Sequence, residues 1–141
     1  MTYTTHSSLK SAFVAGVLAF ISTTATAQAA VPLNEEPHIN NSLMAVAVGN
    51  AIRKTCPSIS ARMLVALSKG RELQNYALEK GYSKDEMEAF LDNKTEKARV
   101  KALAADYMAA NGVVDGDVES YCTLGRAEIA KDSLIGSLLR E

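Results

Sequence analysis

Cys56 and Cys122 carry the side chains of this sequence with the widest choice of chemistry. Neither has a second cysteine at the C-x-x-C spacing that redox catalysts commonly use. Four states are open to them: an intramolecular disulfide, an intermolecular disulfide, a buried free thiol, or a redox-active thiol. Two cysteines in an exported protein usually pair with each other, so the presence of an export signal favours the intramolecular disulfide.

The other reactive side chains do not form a catalytic set. His38 is the only histidine outside residues 1–29, so any Ser-His-Asp or Cys-His arrangement would have to recruit it. The motifs H-E-x-x-H and C-x-x-C-H are absent, as is a glycine-rich phosphate loop. Paired carboxylates occur at predicted caps and loops, where acidic groups have structural roles: Glu35–Glu36, Asp85–Glu86 and Asp115–Asp117. We therefore expect no enzymatic activity, no cofactor and no metal.

Four basic residues close together form a candidate partner surface: Lys94, Lys97, Arg99 and Lys101. They could bind an acidic protein or anionic lipid headgroups, and such binding would weaken with salt. Glu96 is interleaved among them, so a solvated helix face is the alternative interpretation. The net charge of the chain is -1 at pH 7, which argues against nucleic acid as a partner because phosphates usually meet a strongly positive face.

The segment of residues 1–29 has the order of parts of a secretory signal peptide. Lys10 precedes an apolar run, Ala12–Ile21, and small residues then lead to A-x-A sites that end at Ala27 and Ala29. A membrane anchor is the alternative, but the run is shorter than the roughly 20 residues that cross about 30 Å of hydrocarbon. We expect cleavage in this region, a periplasmic location, and no transmembrane span in the mature chain.

Composition favours a single globular domain in the remainder. The 141 residues are 48% hydrophobic and 22% charged. Once residues 1–29 with Lys10 are left out, 14 basic side chains face 16 acidic ones, a net charge of -2. Residues 30–40 contain two prolines and show little periodicity, so we expect an extended lead-in there. Apolar residues recur at helical spacing through residues 41–141, and no strand pattern appears. The predicted fold class is all-α, a compact bundle of five to six helices.

Capping residues predict where the first two helices begin. Asn41 or Ser42 is expected to cap the first helix, which ends before Pro57. The second is expected to begin after Ser58 or Ser60.

Two glycines are expected to allow close packing. Gly70 lies on the apolar stripe of the second helix, where glycine costs about 1 kcal/mol relative to alanine. The close approach of another helix would offset that cost. Gly125, in the helix that contains Cys122, is likewise predicted at a helix packing position.

Start signals also divide the second half of the chain. Ser83 and Glu86 form a capping box. The apolar face of the following helix changes side midway, so the helix is either packed on two sides or broken near Asp92–Asn93. Asp117 is expected to cap the next helix, and Asp132–Ser133 begins a short terminal one.

Some stretches of the sequence resemble a family of small, uncharacterised, exported proteins of alphaproteobacteria: Arg53–Met63, Glu96–Arg99, Tyr121–Ala130 and Ile135–Leu139. The family has no assigned activity, so the resemblance carries no catalytic residues with it. It implies export and a paired Cys56 and Cys122. It also implies an accessory role near the respiratory NADH dehydrogenase of the inner membrane.

Three functional hypotheses follow from these observations. The first is a non-enzymatic accessory protein that contacts an unknown protein partner, for example at an inner-membrane complex. The second is a small periplasmic stress chaperone that exposes apolar surface in acid. The third is an enzyme that uses carboxylates alone, or a carrier of a small apolar ligand. A carrier would need a cavity lined by Met63, Leu67, Leu73, Phe90 and Tyr107.

Overall fold

The computed structural model describes residues 31–141, and the predicted export segment with Ala27 and Ala29 lies outside the described residues. Helices account for 71% of the described residues, which confirms the all-α fold class. Six helices and two short strands follow one another in this range: α1 (Pro37–Thr55), β1 (Ser60–Ala61), α2 (Met63–Glu79), α3 (Lys84–Asp92), α4 (Lys94–Ala110), α5 (Val118–Ala130), α6 (Leu134–Ser137) and β2 (Leu139–Arg140).

Helix α1 begins at Pro37, so the predicted start at Asn41 or Ser42 is wrong, and the predicted extended lead-in (residues 30–40) is wrong in its last four positions. Glu36 is the actual N-cap, and its carboxylate accepts the backbone N–H three residues further on at 2.7 Å. Proline suits the first helical position because its fixed φ matches the helix and its missing N–H is not needed there. A proline that looked like a sign of extended chain therefore starts the helix.

Helix α1 lies at the centre of the fold and packs against α4, α5 and α6. The larger apolar cluster forms along these contacts and contains these buried residues: Ala45, Val48, Ile52, Cys56, Ile59, Ala104, Cys122, Leu124, Ile135 and Leu139. A smaller cluster holds α2 and α3 against the start of α1, with Ile39, Ala77 and Tyr82 at its centre. Removing these side chains from water supplies the main favourable term in folding.

Cys56 and Cys122 form a disulfide inside the larger cluster, which confirms the favoured pairing. Their Sγ atoms are 2.09 Å apart, and their Cα atoms are 5.1 Å apart. The bond joins the end of α1 to the first half of α5. It therefore encloses α2, α3 and α4 in one covalent loop.

The segment after the capping box is broken into two helices at Asn93. Ser83 and Glu86 exchange both hydrogen bonds of the predicted capping box. The Asn93 side chain accepts the backbone N–H groups of Thr95 and Glu96, so it caps α4. Helix α3 then packs on the smaller cluster and α4 on the larger one. This division explains why the apolar face changes side.

A two-stranded antiparallel sheet joins β1, which follows α1, to β2, which follows α6, and no strand was expected at either place. Ser60 pairs with Arg140, and Ala61 pairs with Leu139. The pairing moves the start of α2 beyond the predicted Ser58 or Ser60. Strands of two residues are too short to show the alternation by which strands are recognised in a sequence.

The two glycines singled out from the sequence have different surroundings. A Cβ atom on Gly125 would overlap Ile59 and would lie 2.7 Å from Cγ2 of Ile52, so α5 packs there as expected. A Cβ atom on Gly70 would meet nothing within 4 Å. The expected close approach of another helix to Gly70 is therefore wrong, because α2 stands away from its neighbours at this point.

Candidate functional site

An open apolar groove lies between α1, α2 and the α3–α4 pair. It consists of two adjoining cavities of about 430 and 300 Å³ that share Leu43, Val46, Phe90 and Leu91. Other apolar residues complete its walls: Met63, Ala66, Leu73, Met87, Val100 and Leu138. These residues define the apolar groove.

Helix α2 leaves the apolar groove open because hydrogen bonds hold it mainly at its two ends. Before its start, the Arg62 backbone N–H donates to the Leu138 carbonyl at 2.8 Å. Near its end, the Tyr76 hydroxyl donates to Glu36 Oε1 at 2.6 Å. Ala77 is the only buried residue of the helix. Three large apolar side chains at its other end are exposed: Met63 (63%), Leu64 (84%) and Leu67 (55%).

The floor of the apolar groove is also accessible to solvent. Val46 lies in the middle of the central helix, yet it is 53% exposed, and Leu91 on α3 is 50% exposed. Large exposed apolar patches with a polar rim are typical of sites for proteins, membranes or ligands. The exposed apolar lining therefore makes the groove a candidate binding site.

Three basic residues lie at one end of the apolar groove. Lys97 and Lys101 are four positions apart, so they share a face of α4, and Arg53 lies in the last turn of α1. Lys97 forms an exposed ion pair with Asp92 at 3.2 Å. Within residues 31–141, neither Arg53 nor Lys101 forms an ion pair with a carboxylate. This end of the groove is therefore positively charged.

The four basic residues predicted from the sequence to form a partner surface do not lie on one surface. Lys97 and Lys101 line the apolar groove, whereas Lys94 is exposed outside it. Arg99 is half-buried and donates hydrogen bonds to Glu96 and to the Asn40 side chain, so it holds α4 against α1.

Arg53 is the basic residue that sequence reasoning missed. It lies in the last turn of α1, where cations interact favourably with the helix dipole, so its type and position do not by themselves indicate a binding role. Sequence spacing carries no sign that Arg53 and Lys101 lie on one cavity.

Glu36 and Tyr76 link the start of α1 to the end of α2. Burial opposes ionisation of Glu36, but hydrogen bonds from Tyr76 and the Ile39 backbone outweigh burial, so its pKa lies below the usual 4.5. The hydrogen bond to Glu36, together with burial, raises the pKa of Tyr76 to about 12. The His38 ring lies on Tyr76, with ring centroids 4.4 Å apart. This cluster anchors α2.

Glu128 is the most deeply buried carboxylate of the described residues, at 1% exposure. Tyr107 donates to its Oε1 at 2.9 Å, and Ser133 donates to its Oε2. Burial raises the pKa, but the hydrogen bonds from Ser133 and Tyr107 and the charge of Lys131 outweigh it, so the pKa lies below 4.5. Glu128 therefore joins α4, α5 and the start of α6 as a structural ion.

The cavity expected of a carrier forms in part. Met63, Leu73 and Phe90 line the apolar groove. Leu67 and Tyr107 do not, because Leu67 points to solvent and Tyr107 binds Glu128. A small molecule in the groove would retain contact with water along one side, whereas binding pockets usually bury most of the ligand surface.

Neither a membrane span nor a metal-binding cluster is found in residues 31–141. None of the helices there has both the length and the apolar character needed to cross a bilayer. No group of three or more His, Cys, Asp or Glu side chains in the same range is placed to hold a metal ion.

No curated protein and no solved structure matches the chain. Residues 31–140 match a family of unknown function, DUF5333. This range contains every helix and strand described above, together with the disulfide and the apolar groove. The chain therefore belongs to the family of unknown function DUF5333.

Proposed function

We propose that the protein is an exported, non-enzymatic accessory protein that binds another protein through the apolar groove. The half-exposed apolar surface around Val46, Met63 and Leu91 carries this proposal. Its contact with water is unfavourable, and a partner that covers it would remove that cost. Contact with an inner-membrane complex is the setting that the sequence resemblance suggests.

Export is part of the proposal. The signal-peptide pattern of residues 1–29 supports it. The buried disulfide between Cys56 and Cys122 adds support, since disulfides persist in the periplasm and are rare in the cytosol.

A non-enzymatic role is supported by how the buried acids are used. Glu36 caps α1 and binds Tyr76, and Glu128 binds Tyr107 and Ser133. Neither carboxylate lines the apolar groove. Both are committed to holding helices together.

Site-specific photocrosslinking in cells that express the full-length sequence tests the proposal. A photoreactive amino acid replaces Leu67 or Thr123. Leu67 is exposed and shares a face of α2 with Met63 and Gly70, which line the groove, whereas Thr123 is exposed on α5, no residue of which lines the groove. We expect a discrete protein adduct from position 67 and none from position 123. The same adducts from both positions, or none from position 67, would contradict the proposal.

Transport of a small apolar ligand is a second candidate, favoured by the size of the apolar groove. Its two cavities fall at or just within the range of about 300–1,000 Å³ that is typical of ligand pockets. Mass spectrometry of an organic extract of the natively purified protein tests it. A bound apolar compound at near-equal molar ratio supports the carrier, and an empty extract contradicts it.

A further inference from the structure

We propose that the segment bound in the apolar groove is an amphipathic helix with acidic side chains at the end that meets Arg53, Lys97 and Lys101. This inference rests on the proposed function and names the chemistry of the partner.

The shape of the groove favours a helix over an extended peptide. Its walls are mainly the sides of α1, α2, α3 and α4, with Ala61 and Leu139 of the short sheet at one place. Its apolar lining stays half-exposed along its open side, as at Val46 and Leu91. An amphipathic helix covers such a groove with apolar residues at positions i, i+3 or i+4, and i+7. An extended peptide would instead add to a sheet edge. The sheet in residues 31–141 has only two-residue strands, so it offers no edge of useful length.

The charges at one end of the groove favour acidic groups on the partner. Arg53 and Lys101 have no ion-pair partner within the described residues, and the exposed pair between Lys97 and Asp92 contributes little to stability. Glu96 is the only acid that lines the 430 Å³ cavity, where these three basic residues lie, and the Arg99 guanidinium already neutralises it at 2.6 Å. The 300 Å³ cavity is lined by one base and one acid, Lys84 and Glu88, so it adds no net charge. A complementary acidic partner would bind in one orientation and associate faster.

An anionic membrane would also meet basic and apolar groups, but its shape fits less well. The three cations line a concavity between helices. A bilayer surface is broad and flat, whereas a helix can lie along the groove and insert the apolar side chains of one face between the walls. Lys94 is exposed outside the groove, so a flat surface would reach it without entering the concavity.

Binding of two designed peptides tests the inference. Both are amphipathic helices with the same apolar face, and they carry either glutamate or lysine on the flanks. Protein purified after expression of the full-length sequence, with the disulfide oxidised, is titrated against each fluorescent peptide. We expect the glutamate peptide to bind about tenfold more tightly or better, and this preference to shrink as salt rises.

Charge reversals in the protein provide the matched control. Lys101→Glu and Arg53→Glu are each expected to remove the preference for the glutamate peptide, and Lys94→Glu to leave it unchanged. Circular dichroism checks that each exposed substitution leaves the fold intact. Equal binding of both peptides, or an equal effect of Lys94→Glu, would overturn the inference.

Vesicles with phosphatidylglycerol in phosphatidylcholine test the competing partner. Binding to these vesicles without binding to either peptide would assign the surface to a membrane and overturn the inference. A specific crosslink from position 67 to a protein without an acidic amphipathic helix would leave the proposed function intact and overturn only the inference. If position 67 gives no crosslink and neither peptide binds, both the proposed function and this inference are contradicted.

Discussion

At the scale of single residues, two buried groups explain how a small helical domain is held together. The disulfide closes a loop with a sequence separation of 66 between Cys56 and Cys122. Glu128 joins three helices through Tyr107 and Ser133. One constraint is covalent and acts on the unfolded chain, whereas the other is ionic and acts in the folded state. A reductant should therefore weaken the first constraint, and acid should weaken the second.

Replacing both cysteines, as Cys56→Ala with Cys122→Ala, is expected to lower the free energy of unfolding by about 4 kcal/mol, the chain-entropy estimate for a loop of this length. Urea unfolding at pH 7, followed by circular dichroism, measures the change. A reductant is the control, because it should shift the transition of the wild type and leave that of the double variant unchanged. Complete alkylation of both thiols in unreduced wild-type protein would contradict the prediction.

Glu128→Gln is expected to destabilise the protein by about 1–3 kcal/mol at pH 7, because glutamine cannot accept hydrogen bonds at both former oxygen positions. The free energy of unfolding of the variant should also depend less on pH in the acid range than that of the wild type. The pKa of Glu128 in the folded state lies below 4.5, so its stabilisation is complete above that pH and is lost as pH falls through the folded-state pKa.

Urea unfolding at several pH values from neutral into acid measures this effect. Glu119→Gln is the matched control, since Glu119 is exposed on the same helix and its ion pair with Arg126 should contribute little. Equal pH profiles for the wild type and Glu128→Gln would contradict the assigned role. Apolar dye binding in the same samples tests the stress-chaperone hypothesis, which requires dye binding to rise in acid.

At the scale of elements, apolar periodicity locates helices but does not show which apolar faces become covered. The capping box at Ser83 and the packing position at Gly125 were readable because both depend on local geometry or volume. The stripe on α2 was also readable, yet most of it forms one wall of the apolar groove. Coverage depends on where a neighbouring helix lies, and that position results from tertiary packing. Glu128 was missed for the same reason.

Alanine at two glycines is expected to have opposite effects on stability. Gly125→Ala should destabilise by about 1–3 kcal/mol, because the added methyl group overpacks Ile52 and Ile59. Gly70→Ala should stabilise by up to about 1 kcal/mol, because alanine is the better helix former and the space around it is open. Thermal and urea unfolding of both variants measure this. A loss of stability in Gly70→Ala would show that α2 is covered at this point.

At the scale of the whole molecule, the two apolar clusters give the fold two unequal parts. The larger one contains the disulfide and joins α1 to α4, α5 and α6, whereas the smaller one holds α2 and α3. The helical class and the cysteine pair were predictable from sequence. The unequal division was not, because periodicity alone makes α2 look as buried as α5.

Hydrogen exchange is expected to show this division. Amides in the first half of α2 should exchange through local openings of lower free energy than amides in the middle of α1 and in α5, because few buried contacts hold that half in place. Native-state exchange followed by mass spectrometry measures the difference. Equal protection of α2 and α1 would contradict the picture of a helix held mainly at its ends.

The pairing of β1 with β2 also affects how the polypeptide matures. Leu139 completes the cluster around Ile52, and it is synthesised 87 positions later. A ribosome therefore makes α2, α3, α4 and α5 before this side chain is available to cover α1. Part of the α1 surface therefore stays uncovered until Leu139 has been made, which would suit the export proposed above, because a translocon threads unfolded chains.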